Sequence, residues 1–161
     1  MIRMKKIVVS SFLLLMITFL LSGCVTGNVA SADGKKICSR KGEVTNGTSV
    51  MNYEIYYEED YVTILHSVEK VTSEDSSVLD TYEKAYKNIF KQYEGLKYYD
   101  NTVTRDENSI ISDTIINYAK IDIKKLLEIE GEEDNVVKDG KVKLADWLSF
   151  AEKYGVTCED D

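Results

Sequence analysis

The chain has 161 residues, of which 43% are hydrophobic and 30% charged, and its 28 acidic and 20 basic residues give a net charge of −8. This length fits a single domain. The acidic balance argues against a nucleic-acid partner, because neutralising phosphates requires a basic surface. The lack of proline excludes collagen-like and proline-rich proteins. Because the chain has one histidine, a metal site built from several histidines is also excluded.

The N-terminal segment has the pattern of a bacterial secretion signal. Arg3, Lys5 and Lys6 precede an apolar run at 7–21. This run is shorter than the roughly 20 residues that a membrane-spanning helix needs, and it is typical of a signal peptide. An uncleaved N-terminal anchor is the alternative interpretation.

The apolar run ends in Leu21-Ser22-Gly23-Cys24, which resembles the lipobox of bacterial lipoproteins. The resemblance implies that residues 1–23 are removed and that Cys24 carries lipid. We therefore expect a protein anchored by lipid on the extracytoplasmic face of the cell membrane. The small and polar residues after Cys24 predict a flexible tether over 24–34, followed by one domain over 35–161.

Cleavage would leave 17 basic and 28 acidic residues, because the signal peptide contains three basic residues and no acidic ones. Such an acidic surface is repelled by anionic lipid headgroups. We expect the domain to stand away from the membrane on its tether.

Two cysteines remain once Cys24 is assigned to lipid. Cys38 and Cys158 lie at the two ends of the predicted domain, in an oxidising compartment, and we predict that they form a disulfide. The alternative is a reactive thiol at Cys38 with His66 as its base. That chemistry also needs a third group to orient the histidine, and no local motif provides one.

The first half of the domain has the alternating pattern of strands. Strands are predicted at 37–45, 49–58 and 61–71, and Asn46-Gly47 predicts a hairpin turn between the first two. His66 falls within the third strand, where we interpret it as a surface or hydrogen-bonded side chain.

The second half mixes helices and strands. Apolar residues spaced by three and four predict a helix at 76–94. Strands are predicted at 97–104 and 109–121, the second apolar on both faces and therefore expected inside the sheet.

Two shorter helices complete the prediction. Asp122 is a candidate N-cap for a helix at 123–130. The side chains expected to be buried on these two helices are Leu126, Leu127 and Ile129 on the first and Leu144, Trp147, Leu148 and Ala151 on the second. The order β-β-β-α-β-β-α-α predicts an α+β fold, a two-layer sandwich in which helices cover one face of a mainly antiparallel sheet.

Several local motifs resemble those of the YehR-like lipoproteins. They are the lipobox, the Asn-Gly hairpin, Tyr86-Lys87-Asn88-Ile89, Gly95-Leu96, Asn117-Tyr118-Ala119-Lys120-Ile121-Asp122 and Ala151-Glu152-Lys153-Tyr154-Gly155. The resemblance implies a two-layer sandwich on a lipid anchor. It implies no activity, substrate or site, and the proposed disulfide depends on the cysteine argument alone.

Candidate ligand sites are weak in this sequence. The segment around Asp139-Gly140 resembles a calcium-binding loop, but Val137 would occupy a ligand position, and we expect a polar turn instead. The eleven tyrosines, among them Tyr53, Tyr56 and Tyr99, could stack on sugar rings, although tyrosine is also a common strand residue. Phosphate-loop, dinucleotide and zinc-protease motifs are absent from the sequence, and we expect no cofactor.

These patterns favour a non-catalytic binding module at the cell envelope, whose partner is an envelope protein or glycan and not nucleic acid. An envelope enzyme that uses carboxylates for acid–base chemistry is the first alternative. A carrier of a small ligand or cation is the second.

Overall fold

The computed structural model describes residues 32–129, 131–132 and 136–159. The predicted signal peptide, Cys24 and most of the tether lie outside this range. Within it, no helix is long and apolar enough to cross a membrane.

A six-stranded antiparallel sheet forms one layer of the molecule. Its strands are β1 Gly34–Val44, β2 Gly47–Glu58, β3 Tyr61–Ser73, β4 Tyr99–Arg105, β5 Ser109–Asn117 and β8 Thr157–Cys158. Their order across the sheet is β4-β5-β3-β2-β1-β8. A separate hairpin consists of two strands of two residues each, β6 Val137–Lys138 and β7 Lys141–Val142. The predicted α+β class is confirmed, and β5 lies inside the sheet as its apolar faces predicted.

The helices are α1 Ser76–Phe90, α2 Ile123–Leu127 and α3 Leu144–Lys153. Helix α1 packs on Val71 of β3, and α3 packs near Leu65 of the same strand. Alternate residues of a strand point to the same face, and six positions separate Leu65 from Val71. Both helices therefore cover one face of the sheet, as the sequence predicted, and we call this the helix face.

Two hydrophobic clusters lie on the helix face. The first surrounds α3 and includes Ile55, Leu65 and Trp147. The second surrounds α1 and includes Leu79 and Ile110.

A band of polar side chains lies on the same face between the two clusters. Within it, Ser49 Oγ donates to Glu69 Oε1 at 2.7 Å, and Asn101 Nδ2 donates to Thr114 Oγ1 at 2.7 Å. These hydrogen bonds pair polar side chains at the place where the band divides the core.

The first hairpin turn differs from the prediction by one residue. Val44 pairs with Gly47, so the turn consists of Thr45 and Asn46, and Asn46 takes the positive φ of 52°. Gly47 already belongs to β2. It is required there because a Cβ atom would lie 2.8 Å from Ser73 Cα on the neighbouring strand.

Several predicted boundaries were too long. The strand predicted to reach residue 121 ends at Asn117, because the chain turns back and Ile121 N donates to Asn117 O. Asp122 caps α2 as predicted, and Leu126 is fully buried, but Leu127 is 37% exposed and its predicted burial was wrong. The helix predicted at 76–94 ends at Phe90 and continues as a 3₁₀ turn, Lys91–Tyr93.

Candidate functional site

A cleft of about 540 Å³ opens on the helix face between α3 and the sheet. Its aromatic lining consists of Tyr53, Tyr118, Trp147, Phe150 and Tyr154. The rest of its lining is mostly apolar, with Arg40 and Glu132 as the charged members. We call it the aromatic cleft. Its volume lies within the range of roughly 300–1,000 Å³ that small-ligand sites occupy.

Helix α3 supplies one wall of the aromatic cleft. Trp147, Phe150, Ala151 and Tyr154 line it at spacings of three and four residues, which places them on one side of the helix. The Phe150 and Tyr154 rings lie 4.9 Å apart, and Tyr154 is 58% exposed. This wall therefore runs from the buried Trp147 to an exposed aromatic ring.

Strands β1 and β2 supply the other wall through Arg40, Met51 and Tyr53. The ring of Tyr53 meets Trp147 edge to face at 5.4 Å. Burial raises the pKa of the Tyr53 hydroxyl, and the positive charge of Arg40 opposes that rise. The guanidinium of Arg40 thus acts electrostatically on the interior of the cleft.

The opposite face of the sheet carries a charged network that crosses four strands. His66 Nε2 lies 2.9 Å from Asp113 Oδ1, and its Nδ1 lies 3.8 Å from Glu54 Oε2. Lys35 Nζ contacts the other oxygen of Glu54 at 3.2 Å, and Tyr56 OH donates to Glu54 Oε2 at 2.8 Å. His66 is therefore a hydrogen-bonded strand side chain, as interpreted from the sequence.

Glu54 is held in its ionised form, which suits a hydrogen-bond acceptor in this network better than a general acid. Burial acts to raise the pKa of its carboxyl, but hydrogen bonds from Tyr56 and Lys35 outweigh burial and hold that pKa below its ordinary value. Burial and the Glu54 carboxylate raise the pKa of Tyr56 to about 12. A carboxylate held ionised in this way accepts hydrogen bonds and links strands, whereas a general acid needs a raised pKa.

The predicted disulfide between Cys38 and Cys158 is present, with an Sγ–Sγ distance of 2.05 Å. The two cysteines face each other across β1 and β8, and Glu159 N donates to Ile37 O beside them. Their Cα atoms are 3.9 Å apart, closer than the usual range of about 4.4–6.8 Å, and they form a non-hydrogen-bonded pair, the more closely spaced kind in an antiparallel ladder. The sulfurs fasten the end of α3 to β1 and are not available as nucleophiles.

The segment that resembles a calcium loop forms a hairpin instead. Asp139 and Gly140 both have positive φ and make the two-residue turn between β6 and β7. Asp146 accepts a hydrogen bond from Lys138 at 2.9 Å. Within the described ranges, no group of three or more histidine, cysteine or acidic side chains is arranged to hold a metal ion.

The tyrosines do not form a single stacking surface. Tyr53 faces the aromatic cleft, and Tyr56 lies in the network on the opposite face. Tyr99 stacks on Tyr93 at 4.2 Å, beside α1, and the ammonium of Lys141 lies 4.4 Å from the ring centre of Tyr61. Only some of them are placed to meet a ligand.

No family model matches the chain, and no curated protein matches it significantly. Two solved structures share its fold. The NMR structure of the Escherichia coli YehR protein superposes with a TM-score of 0.56 at 15% identity, over 78% of this chain and 91% of that one. The NMR structure of a protein from Streptococcus pneumoniae TIGR4 gives a TM-score of 0.53 at 14% identity, over 78% and 84% of the two chains.

These likenesses define the class of fold. The molecule is a two-layer α+β domain, and its architecture is YehR-like. At such low identity the likeness concerns the fold alone.

The aromatic cleft is not among the sites that the sequence predicts. A signal was present in α3, since Phe150 and Tyr154 flank the predicted buried stripe at helical spacing. A second signal was Arg40, a charged residue two positions after Cys38 and thus on the same face of the strand as a buried side chain. Neither signal shows by itself that Arg40 and the aromatic residues of α3 line the same cavity.

Proposed function

We propose that this protein is a non-catalytic binding module anchored by lipid at the cell envelope, and that the aromatic cleft is its binding site. The cleft is the observation that carries the proposal. Its lining combines aromatic and aliphatic side chains with the charged Arg40 and Glu132, a combination that can give a ligand site both affinity and orientation. The partner is an envelope protein or glycan.

The anchor and the family are part of the same proposal. The lipobox at 21–24 and the charged and apolar segments before it support lipid attachment at Cys24 on the extracytoplasmic face. The YehR-like fold supports membership of the YehR-like lipoproteins.

The binding proposal is tested with the full-length protein in detergent, mixed with a solubilised envelope extract. Tyr154→Ala should reduce the amount of glycan or protein captured, because it removes an exposed ring at the cleft. Tyr98→Ala is the matched control, since Tyr98 is 48% exposed and lies outside the cleft lining. Equal capture by the parent protein and both variants would show that the cleft is not the binding site.

A further inference from the structure

We propose that the aromatic cleft recognises an anionic group of its envelope partner, a carboxylate or phosphate that pairs with Arg40 while an adjoining apolar part lies against the aromatic wall. This inference rests on the proposed binding function and assigns that site a ligand class. Two features of the cleft support the inference. They are the lack of a salt bridge at Arg40 and the apolar side chains that line the cleft around it.

Arg40 forms no salt bridge in the part of the chain that the structure describes, although the protein is strongly acidic. Two other cations of the sheet are paired: Lys35 binds Glu54 at 3.2 Å, and Arg105 binds Asp80 at 3.0 Å. Arg40 is half-buried on the wall of a cavity. A guanidinium there presents a fork of donors that matches carboxylate and phosphate oxygens.

The surroundings of Arg40 would strengthen such a pair. Met51, Tyr53 and Trp147 line the same cavity, and a ligand lying against them would displace water from the charge. Hydrogen bonds to charged groups contribute more when the pair is desolvated. The apolar lining therefore requires an apolar body on the ligand, and Arg40 requires an anionic group.

Two carboxylates lie at or beside the cleft, and both have hydrogen-bond partners of their own. Glu69 accepts a hydrogen bond from Ser49 at 2.7 Å. Glu132, on the cleft lining, accepts one from the hydroxyl of Tyr93. Because Glu132 is a carboxylate on the lining, the cleft could instead bind a cation, and the experiment must distinguish a cationic ligand from an anionic one.

Trp147 is the sole tryptophan of the chain and lines the cleft, so its fluorescence reports on occupancy. Full-length protein in lipid nanodiscs is titrated with 4-phenylbutyrate, 4-phenylbutanamide and 4-phenylbutylamine, which share one body and differ in charge. We expect the carboxylate to bind most tightly. Octanoate and phenyl phosphate are further arms that distinguish aliphatic from aromatic bodies and carboxylate from phosphate.

Arg40→Gln should weaken binding of the anions by about tenfold or more and leave the amide unaffected, as expected for loss of a charge-assisted hydrogen bond. Lys41→Gln is the control, because it removes the same charge from the next residue, whose side chain points to the opposite face. Circular dichroism verifies that both variants are folded.

The inference is overturned if the three phenyl probes bind equally, if no probe binds, or if Arg40→Gln leaves anion binding unchanged. It is also overturned if the amine binds best and Glu132→Gln removes that binding. In each case the binding function itself stands as long as Tyr154→Ala still reduces envelope capture. That function fails on its own test, when Tyr154→Ala captures as much as the parent protein.

Discussion

Gly47 is the position where the fold leaves least room for a side chain. Gly47→Ala would place a methyl group 2.8 Å from Ser73 Cα and closer still to the Thr72 carbonyl, which belong to backbone that cannot move alone. We expect a loss of about 1–3 kcal/mol in the free energy of unfolding, measured by urea denaturation.

Gly42→Ala is the matched control for this substitution. An added Cβ atom at Gly42 meets no atom within 4 Å, so stability should change by less than about 0.5 kcal/mol. Equal effects at the two glycines would mean that crowding at Gly47 is not the reason for its identity.

We expect Glu54 to contribute to the loss of folding stability at acidic pH. Its pKa lies below its ordinary value of 4.5 when folded, so the folded state binds fewer protons than the unfolded state near that pH. The stabilisation is present above the ordinary value and is lost as the pH falls through the folded pKa. The carboxylate is partly exposed, so the effect should stay below about 1 kcal/mol.

Urea denaturation at about pH 6 and about pH 3.5 tests this linkage. The parent protein should lose more stability between the two conditions than Glu54→Gln does. Glu58→Gln, at the exposed end of the same strand, should behave like the parent protein. If Glu54→Gln shows the same acid sensitivity as the parent, the network does not hold the carboxylate ionised.

At the scale of elements, local patterns predicted most of the sheet and the larger helices. Alternation located β1 to β3, and the spacing of Leu79, Tyr86 and their neighbours located α1. Strand β8 was missed because two residues carry no periodicity, and its pairing depends on Cys38 more than a hundred residues away. The hairpin turn lies one residue earlier than predicted, and Gly47 is instead placed where a Cβ atom would collide with β3, a contact that the local sequence does not encode.

The bridge between Cys38 and Cys158 should stabilise β8 and the end of α3. Because it closes a loop with a sequence separation of 120, reduction should cost roughly 2–4 kcal/mol and lower the unfolding midpoint by several degrees. Thermal unfolding followed by circular dichroism, with and without reductant, measures the shift. The fold should survive, because both hydrophobic clusters remain.

A double variant, Cys38→Ala with Cys158→Ala, provides the control for reduction. Its midpoint should resemble that of the reduced parent and should not respond to reductant. Two free thiols at these positions in oxidised protein would contradict the pairing.

At the scale of the whole molecule, the proposed anchor predicts a processing defect. Cys24→Ala should abolish fatty-acid labelling and leave an uncleaved precursor, because in lipoproteins the thiol accepts the lipid and directs cleavage. Labelling with a tagged fatty acid and gel mobility measure both effects. Cys158→Ala should retain the label, and a labelled Cys24→Ala variant would exclude this lipid site.

The candidate site is also a property of the whole molecule. Arg40 comes from β1, and Tyr154 follows α3 near the other end of the domain. Sequence patterns assign each residue to an element and a face, but the cavity forms where α3 packs on the sheet beside β1 and β2, which are distant in the sequence. This is why the cleft could not be predicted although its residues could be placed.

The bridge also defines how a mechanical load would travel through the domain. A pull on the start of β1 reaches Cys38 within residues 34–38, crosses the sulfurs, and reaches the cleft residue Tyr154 through residues 154–158. The covalent route from tether to cleft therefore bypasses most of the chain. In the proposed lipid-anchored protein, tension between the membrane and a captured partner would be borne by covalent bonds along this route and by the shear resistance of β1 against β2.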